Sequence, residues 1–297
     1  MIDLTFDPVL SLGPLHIAWH SVFALLGIFA GSALGMRLVL LGGGRGSAMN
    51  HFPGGGSGSS AIHFPRVGDP DAYAVAIAGV LGGLVGSRVF HVIDAWSYYA
   101  AHPEQIVAVW NGGAAVTGGI VGGIVGGFAM ARARELPIAY VLDRGVAGLA
   151  LGMAIGRIGD VINGEHHATA CAGVPWCVRY TSPSTLGQRD FVHPAVAYEL
   201  VADLLILLAV LALLRRDPPP LVPMLAFVGL YGLVRLALSP FRLDPAWLGA
   251  ITEAQAVSAA FVVIAAVGIP LLVRSRGPGG EAPRRMGGSV PQPHTPG

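Results

Sequence analysis

The sequence predicts an all-α integral membrane protein with seven transmembrane helices. Hydrophobic residues occupy 53% of the 297 positions and charged residues only 12%, with a mean hydropathy of +0.64. These values lie outside the usual range for a soluble domain. Windows of roughly twenty apolar residues, enough to cross about 30 Å of hydrocarbon, cover residues 16–40, 72–94, 113–131, 142–161, 196–214, 221–240 and 253–273.

The first apolar window is expected to stay in the protein as a transmembrane helix. It lacks the basic start and the small-residue cleavage site of a signal peptide, and it can span a bilayer by itself. Twelve of the eighteen basic residues, all of them arginine, lie in the loops after odd-numbered windows or in the tail. The positive-inside rule therefore predicts an outer N-terminus and a cytoplasmic C-terminus.

Two stretches read as connectors and not as part of the helical core. Residues 41–70 are rich in Gly and Ser, and residues 275–297 are rich in Pro and Gly. The sequence thus predicts a membrane domain over 1–274 with a flexible cytoplasmic insert at 41–70, followed by a disordered tail. Glycines at GxxxG-type spacing in the second and third windows predict closely packed helices.

The two cysteines, Cys171 and Cys177, lie in a predicted outer loop. They either form a disulfide in an oxidising compartment or bind a metal with His166 and His167. A net charge of +1 without basic runs excludes a nucleic-acid partner.

The fourth window ends in GRIGDVINGEHH, a polar cluster at the predicted outer interface. Arg157 and Asp160 are neighbours on one helix face, and Asn163, Gly164 and Glu165 follow where the helix ends. Placing an ionisable group inside the membrane costs a few kcal/mol or more of free energy unless the group is paired with an opposite charge or hydrated. The pair is either a self-satisfied structural contact or part of an anion site, since guanidinium forks match phosphate oxygens.

Other windows carry further polar residues. Tyr231 and Arg235 share a face of the sixth window, with Arg242 at its outer boundary. Tyr198 and Glu199 open the fifth window, where the buried carboxylate needs a cationic partner such as Arg157 or Arg235. Two more candidates lie elsewhere: His20 in the first window and Arg88 in the second.

These motifs resemble those of the prolipoprotein diacylglyceryl transferase family. GRIGDVINGE resembles GRxGNFxNGE, HPAVAYE resembles HPSQLYE, and YGLVRLALSPFR resembles YGxxRFxxEFxR. WNGGAAVTGG, IAWHSVFALLG and TEAQ resemble three further family motifs in the same order, and the match runs from about residue 10 to 272.

The resemblance implies a multi-pass enzyme of the bacterial plasma (inner) membrane. Such an enzyme moves a diacylglyceryl group from phosphatidylglycerol to the lipobox cysteine thiol of a preprolipoprotein signal peptide. No metal or other cofactor is implied. Arg157, Asn163, Gly164, Glu165, Tyr231 and Arg235 match the motif residues of the family. The predicted catalytic residues are Arg157, Arg235, His20 and Glu165; the predicted substrate-binding residues are Asn163, Gly164, Asp160, Tyr231, Thr117, Tyr198, Glu199 and Arg242.

The sequence departs from the family motifs at several polar positions. Thr117 replaces a histidine, His20 a tyrosine, Asp160 an asparagine and Ser239 a glutamate, and Ala168 replaces a glycine. One hypothesis is that His20 supplies the missing base, oriented by Asp160. The other is a divergent member that binds phospholipid without transferring it. A solute transporter is a weaker third interpretation, because the halves show no inverted repeat.

Overall fold

The part of the chain that the structure describes is an assembly of long antiparallel helices with three small two-stranded sheets. A computed structural model describes residues 1–13, 15–49, 69–108 and 116–275. The helices are α1 (Trp19–Met49), α2 (Asp69–Asp94), α3 (Trp96–Ala101), α4 (Val116–Ala133), α5 (Ile138–Asn163), α6 (Ala195–Leu214), α7 (Val222–Leu238) and α8 (Glu253–Ser275).

Within the described residues, six helices are long and apolar enough to span a membrane: α1, α2, α5, α6, α7 and α8. Large apolar side chains such as Phe29 (72% exposed) and Val85 (65% exposed) face outward, as expected of a surface in contact with lipid. The protein is therefore a multi-pass membrane protein. The predicted third span coincides with α4, whose apolar part, Val121–Ala133, is shorter than a full crossing. Residues 113–115 of that span lie outside the described part.

The boundaries of the predicted insert and tail are only partly visible. α1 remains helical as far as Met49, which is further than the predicted start of the insert at residue 41, and α2 begins at Asp69. Residues 50–68 and 276–297 lie outside the described residues. The six-residue helix α3 was not predicted; its sequence, WSYYAA, suits the interfacial region where Trp and Tyr concentrate.

Close glycine contacts hold two helix pairs together. A Cβ atom built on Gly148 of α5 would lie 2.2 Å from the carbonyl oxygen of Gly31 on α1. A Cβ atom on Gly122 of α4 would lie 2.1 Å from the carbonyl oxygen of Gly82 on α2. Only a hydrogen fits in these places. The α2–α4 contact confirms the close packing predicted for the second and third windows, whereas the α1–α5 contact was not predicted.

Short strands and loops cover the end of the bundle where α5 and α7 finish and α6 and α8 begin. β1 (Ile2–Leu4) pairs in parallel with β4 (Val178–Tyr180); β2 (Val9–Leu12) pairs with β3 (Leu15–Ala18), and β5 (Ala246–Leu248) with β6 (Ile251–Thr252). The expectation of an all-α chain missed these strands, which are too short for a period-two pattern to show. Cys171 and Cys177 form a disulfide in this cap, so their thiols are not metal ligands.

Two local devices fix the starts of α7 and α8. The buried carboxylate of Asp143 accepts hydrogen bonds from the backbone N–H groups of Leu221 (2.8 Å) and Met224 (3.1 Å), at the end of α7 away from the cap. At the start of α8, Thr252 and Gln255 exchange side-chain to backbone hydrogen bonds of 3.0 and 3.2 Å. This reciprocal capping box satisfies two backbone donors that a helix start leaves open. The TEAQ motif is thus a helix start whose glutamine also faces the neighbouring α7.

Candidate active site

Arg157 lies in the last two turns of α5 and contacts three carboxylates. Its guanidinium nitrogens lie 3.3 Å from Asp160 Oδ2, 3.0 Å from Glu199 Oε2 and 3.8 Å from Asp203 Oδ2. Only 15% of its side chain is exposed. The i to i+3 spacing places Asp160 beside it on α5, and Glu199 and Asp203 reach it from successive turns of α6.

Glu199 connects all three arginines of the site. Its side chain is 3% exposed. Arg157 contacts its Oε2 atom, whereas Arg235 from the end of α7 and Arg242 just beyond it both donate to Oε1, Arg242 at 3.0 Å. The predicted pairing of Glu199 with Arg157 and Arg235 is present. Arg242 is a third partner, brought inward by the 3-10 turn Ser239–Phe241.

Asp160 links this arrangement to the first helix. One of its oxygens lies 2.8 Å from Nδ1 of His20, at the start of α1, and the other lies 3.3 Å from Arg157. A Cβ atom on the neighbouring Gly159 would lie 2.8 Å from the Cα of His20, so the two backbones touch here. The close α1–α5 contact therefore places the His20 imidazole beside the arginines, although His20 and Asp160 are 140 residues apart in the sequence.

We call these charged residues the arginine–carboxylate cluster: Arg157, Arg235, Arg242, Asp160, Glu199, Asp203 and Asp244. Three guanidiniums face four carboxylates. Removing one partner from a buried ion pair costs about 3–5 kcal/mol, because the other charge is left uncompensated. The cluster is consequently a rigid, interdependent unit.

Asn163, Gly164 and Glu165 form the turn that ends α5. Gly164 adopts φ +76°, and a Cβ atom there would lie 2.5 Å from the Cα of Gly187, so the position requires glycine for two reasons. Asn163 Nδ2 donates to Glu165 Oε1 at 2.5 Å. The turn thus directs the Glu165 carboxylate back toward the helix end.

His20, Asp160 and Glu165 bring donor atoms within 4.8 Å of one another, a grouping compatible with a cation by distance alone. The guanidinium of Arg157 beside Asp160 opposes a metal ion, because it already compensates that carboxylate. The 2.8 Å approach of His20 Nδ1 to Asp160 is an ion-pair contact that needs no metal.

The other predicted site residues lie around or away from the cluster. Tyr198 Oη accepts a hydrogen bond from Trp176 Nε1 at 2.8 Å in the cap, and Tyr231 stacks on Phe227 in the helix core. Arg88 is used structurally, donating to the carbonyl oxygens of Gln105, Ile106 and Ala108. Thr117 belongs to α4, but its side chain lies outside the described part of the structure.

Two members of the cluster were missed by the sequence interpretation. Asp203 follows Glu199 by four residues, one turn along α6, and this spacing was the available signal. Asp244 lies two residues after Arg242 and accepts hydrogen bonds from its Nε and Nη2 atoms, both at 3.1 Å. Its irregular backbone gave no periodic signal.

An apolar cavity of about 380 Å³ adjoins the cluster under the cap. Leu4, Val178, Val192 and Ala197 contribute to its lining, and Glu165 and His166 lie on its wall, so the cavity reaches the turn that ends α5 next to the cluster. Tyr180 also lines it and donates through its hydroxyl to the carbonyl of Val161 at 2.9 Å.

Burial, with a smaller effect of the Asp160 charge, raises the pKa of Tyr180 to about 12, so this phenol stays protonated and cannot act as a base at neutral pH. Burial alone would raise the pKa of Asp244, but the hydrogen bond and charge of Arg242, together with the charge of Arg235, hold it below its usual value. Asp244 is therefore ionised at neutral pH.

The family model described as prolipoprotein diacylglyceryl transferase matches residues 56–271. The chain belongs to the prolipoprotein diacylglyceryl transferase family. A phosphatidylglycerol–prolipoprotein diacylglyceryl transferase of Synechococcus elongatus is 30% identical over 88% of this chain and 85% of its own length. Enzymes of the same name from Trichormus variabilis and Dehalococcoides mccartyi are each 28% identical, covering 91% and 92% of this chain and 91% and 95% of their own lengths.

Membership of the prolipoprotein diacylglyceryl transferase family makes the chain a transferase-family membrane protein. Five of the seven residues of the arginine–carboxylate cluster lie in three of the motifs that carried the sequence resemblance: GRIGDVINGE, HPAVAYE and YGLVRLALSPFR. Segments far apart in the sequence therefore meet at one place in the fold.

Proposed function

We propose that the protein transfers a diacylglyceryl group from phosphatidylglycerol to the lipobox cysteine thiol of preprolipoproteins. The observation that carries this function is the buried set of three guanidiniums, Arg157, Arg235 and Arg242, around Glu199 at the cap end of the bundle. Guanidinium groups at this end of the bundle can donate paired hydrogen bonds to the oxygens of a phosphodiester headgroup. The enzyme would lie in the bacterial plasma (inner) membrane with seven spans, its cap and N-terminus outside and its tail in the cytoplasm.

The reaction replaces one bond by another at a glyceryl carbon. The acceptor thiol loses its proton. The thiolate sulfur then attacks the carbon of the diacylglyceryl group that is bonded to a phosphate oxygen. A C–S bond forms as the C–O bond breaks, and glycerol phosphate leaves with the electron pair. Arg157 and Arg235 stabilise the negative charge that develops on the leaving phosphate, and Arg242 assists them.

His20 would accept the thiol proton. If Nδ1 donates its hydrogen to Asp160 at 2.8 Å, the lone pair of the neutral imidazole lies on Nε2, the atom pointing away from that carboxylate. Asp160 would then fix the tautomer and stabilise the imidazolium after proton transfer, as the carboxylate does in a hydrolase triad. Asn163 and Glu165 would orient the headgroup beside it.

The decisive test is a transfer assay with purified protein in detergent, phosphatidylglycerol and a peptide with a lipobox cysteine. The expected result is a peptide whose mass has increased by one diacylglyceryl group, with glycerol phosphate released in equal amount. A folded sample that gives no product beside an active family member would contradict the proposal.

A second candidate function is phospholipid binding without transfer. The charge balance of the cluster favours this function. Its four carboxylates, which include Asp160 next to Arg157, already compensate the three guanidiniums. Retained phosphatidylglycerol affinity without any modified peptide would select this alternative.

Replacing His20 by Ala is expected to lower kcat for transfer by about 10²–10⁴-fold, the usual contribution of a positioned general base. The initial rate of peptide modification measures the effect. His167→Ala is the matched control, because His167 is exposed and its Nε2 contacts the Leu186 carbonyl at 3.2 Å, outside the cluster. Equal turnover in wild type and His20→Ala would exclude His20 as the base.

A further inference from the structure

Asp244 is a carboxylate of the cluster that contacts both Arg235 and Arg242, as Glu199 does. Its oxygens accept from Arg242 Nε at 3.1 Å and Nη2 at 3.1 Å, and Oδ2 lies 3.6 Å from Arg235 Nη2. The Arg242 side chain is 5% exposed and the Asp244 side chain 23%. The two-pronged contact fixes the plane of the Arg242 guanidinium as well as its position.

The need for such a residue follows from the crowding at Glu199. Arg235 and Arg242 both contact the same oxygen, Oε1, so their positive charges lie side by side. Like charges at this separation repel strongly in a buried environment. A second carboxylate in contact with both guanidiniums offsets the repulsion and keeps the pair together.

The residue that lies between the two arginines in the sequence, at position 239, cannot do this. Ser239 occupies the position where the family motif has a glutamate, and its hydroxyl accepts a 2.6 Å hydrogen bond from Gln255 Nε2. A neutral hydroxyl supplies no counter-charge to Arg235 four residues earlier. Asp244, five residues later and outside the helix, contacts the same arginine from the other side.

We propose that Asp244 is a positioning residue that holds Arg235 and Arg242 as one phosphate-binding unit, in place of a carboxylate at position 239. This inference rests on the proposed function for the identity of the phosphate ligand. Asp244 itself would not touch the lipid; it acts through the two guanidiniums. Its effect should therefore be on binding of the headgroup in the ground state and transition state alike.

Asp244→Asn keeps the size of the side chain and removes its charge. The expected result is that the KM for phosphatidylglycerol rises about tenfold or more while kcat stays within about threefold of the wild-type value. A hydrogen bond to a charged group contributes about tenfold or more to an equilibrium constant, which sets the expected change in KM. Asp244→Glu should retain most of the affinity. Asp3→Asn is the matched control, because Asp3 makes a similar two-pronged pair with Arg179 in an exposed part of the cap.

The double variant Asp244→Asn, Ser239→Glu separates positioning from simple stability. A glutamate at 239 lies one helical turn after Arg235 and can restore the counter-charge, so KM should return most of the way to the wild-type value. An unchanged or lowered KM in Asp244→Asn, or a loss that Ser239→Glu does not repair, would overturn the positioning role.

Titration of phosphatidylglycerol in mixed micelles supplies a readout that does not require turnover. If the wild type binds the lipid without transferring it, the transfer function fails, and the same tenfold weakening in Asp244→Asn still supports the positioning role. Equal lipid affinity of wild type and Asp244→Asn overturns it. A wild type that neither transfers nor binds the lipid overturns both proposals.

Discussion

Arg157→Ala is expected to reduce diacylglyceryl transfer by about 10³–10⁵-fold, the range found when an arginine that stabilises a transferring phosphate group is removed. Arg157 contacts Asp160, Glu199 and Asp203, so its loss removes a phosphate ligand and also leaves three carboxylates without their shared cation. Those carboxylates would then repel the lipid phosphate. The initial rate of mass-detected peptide modification measures the effect.

Two comparisons separate catalysis from folding in this prediction. Arg157→Lys retains the positive charge but not the planar fork of the guanidinium. Compared with Arg157→Ala, it should recover more of the stability than of the transfer activity. Arg134→Ala removes an arginine from an exposed 3.1 Å pair with Asp71 and should leave both properties nearly unchanged. Transfer above one tenth of the wild-type rate in a folded Arg157→Ala protein would exclude Arg157 from the reaction.

The sequence was sufficient to predict part of the arginine–carboxylate cluster, because membrane burial restricts the partners that a charged residue can have. Glu199 lies just inside an apolar window, where a carboxylate requires a cation, and Arg157 and Arg235 were available. His20 was identified as a lone histidine in an apolar window, and Arg242 as an arginine at the outer boundary of the sixth window. Asp203 was missed although its spacing of four residues from Glu199 was an available signal, and Asp244 was missed because its irregular backbone gives no periodic signal. Only the three-dimensional contacts assign them to the cluster.

The fold was predictable to a similar extent. Hydropathy locates α1, α2, α5, α6, α7 and α8 within a few residues, because a span requires a long apolar run. It does not resolve the cap, whose strands of two to four residues depend on pairings between distant segments such as Ile2–Leu4 with Val178–Tyr180. The disulfide also required the structure, since cysteine spacing alone allows both a bridge and a metal site.

Packing and chemistry are coupled through the α1–α5 contact. His20 lies at the start of α1, whereas Asp160 lies near the end of α5, and their 2.8 Å contact depends on the distance between the two helix axes. That distance is set one to three turns away by glycines, including Gly31 on α1 and Gly148 on α5. Any substitution that separates the helices should therefore affect both stability and the orientation of His20.

Gly148→Ala is expected to lower the free energy of unfolding by about 3 kcal/mol, the upper part of the range for overpacking a tight contact. The added Cβ atom would lie 2.2 Å from the Gly31 carbonyl oxygen and 3.0 Å from the Gly35 backbone nitrogen. Both obstacles are backbone atoms of α1, which cannot rotate aside as a flexible side chain can. The helices must move apart, and transfer should fall because the His20–Asp160 contact lengthens.

Gly145→Ala provides a control on the same helix, three residues earlier. A Cβ atom there has nothing within 4 Å, so the substitution should gain up to about 1 kcal/mol from helix propensity without a clash. Thermal unfolding of both variants in detergent, with transfer rates measured on the same samples, separates the two effects. If Gly148→Ala and Gly145→Ala unfold at the same temperature, the glycine contact does not set the α1–α5 distance. If Gly148→Ala is destabilised but transfers at the wild-type rate, the helix spacing matters for stability, and His20 does not depend on it.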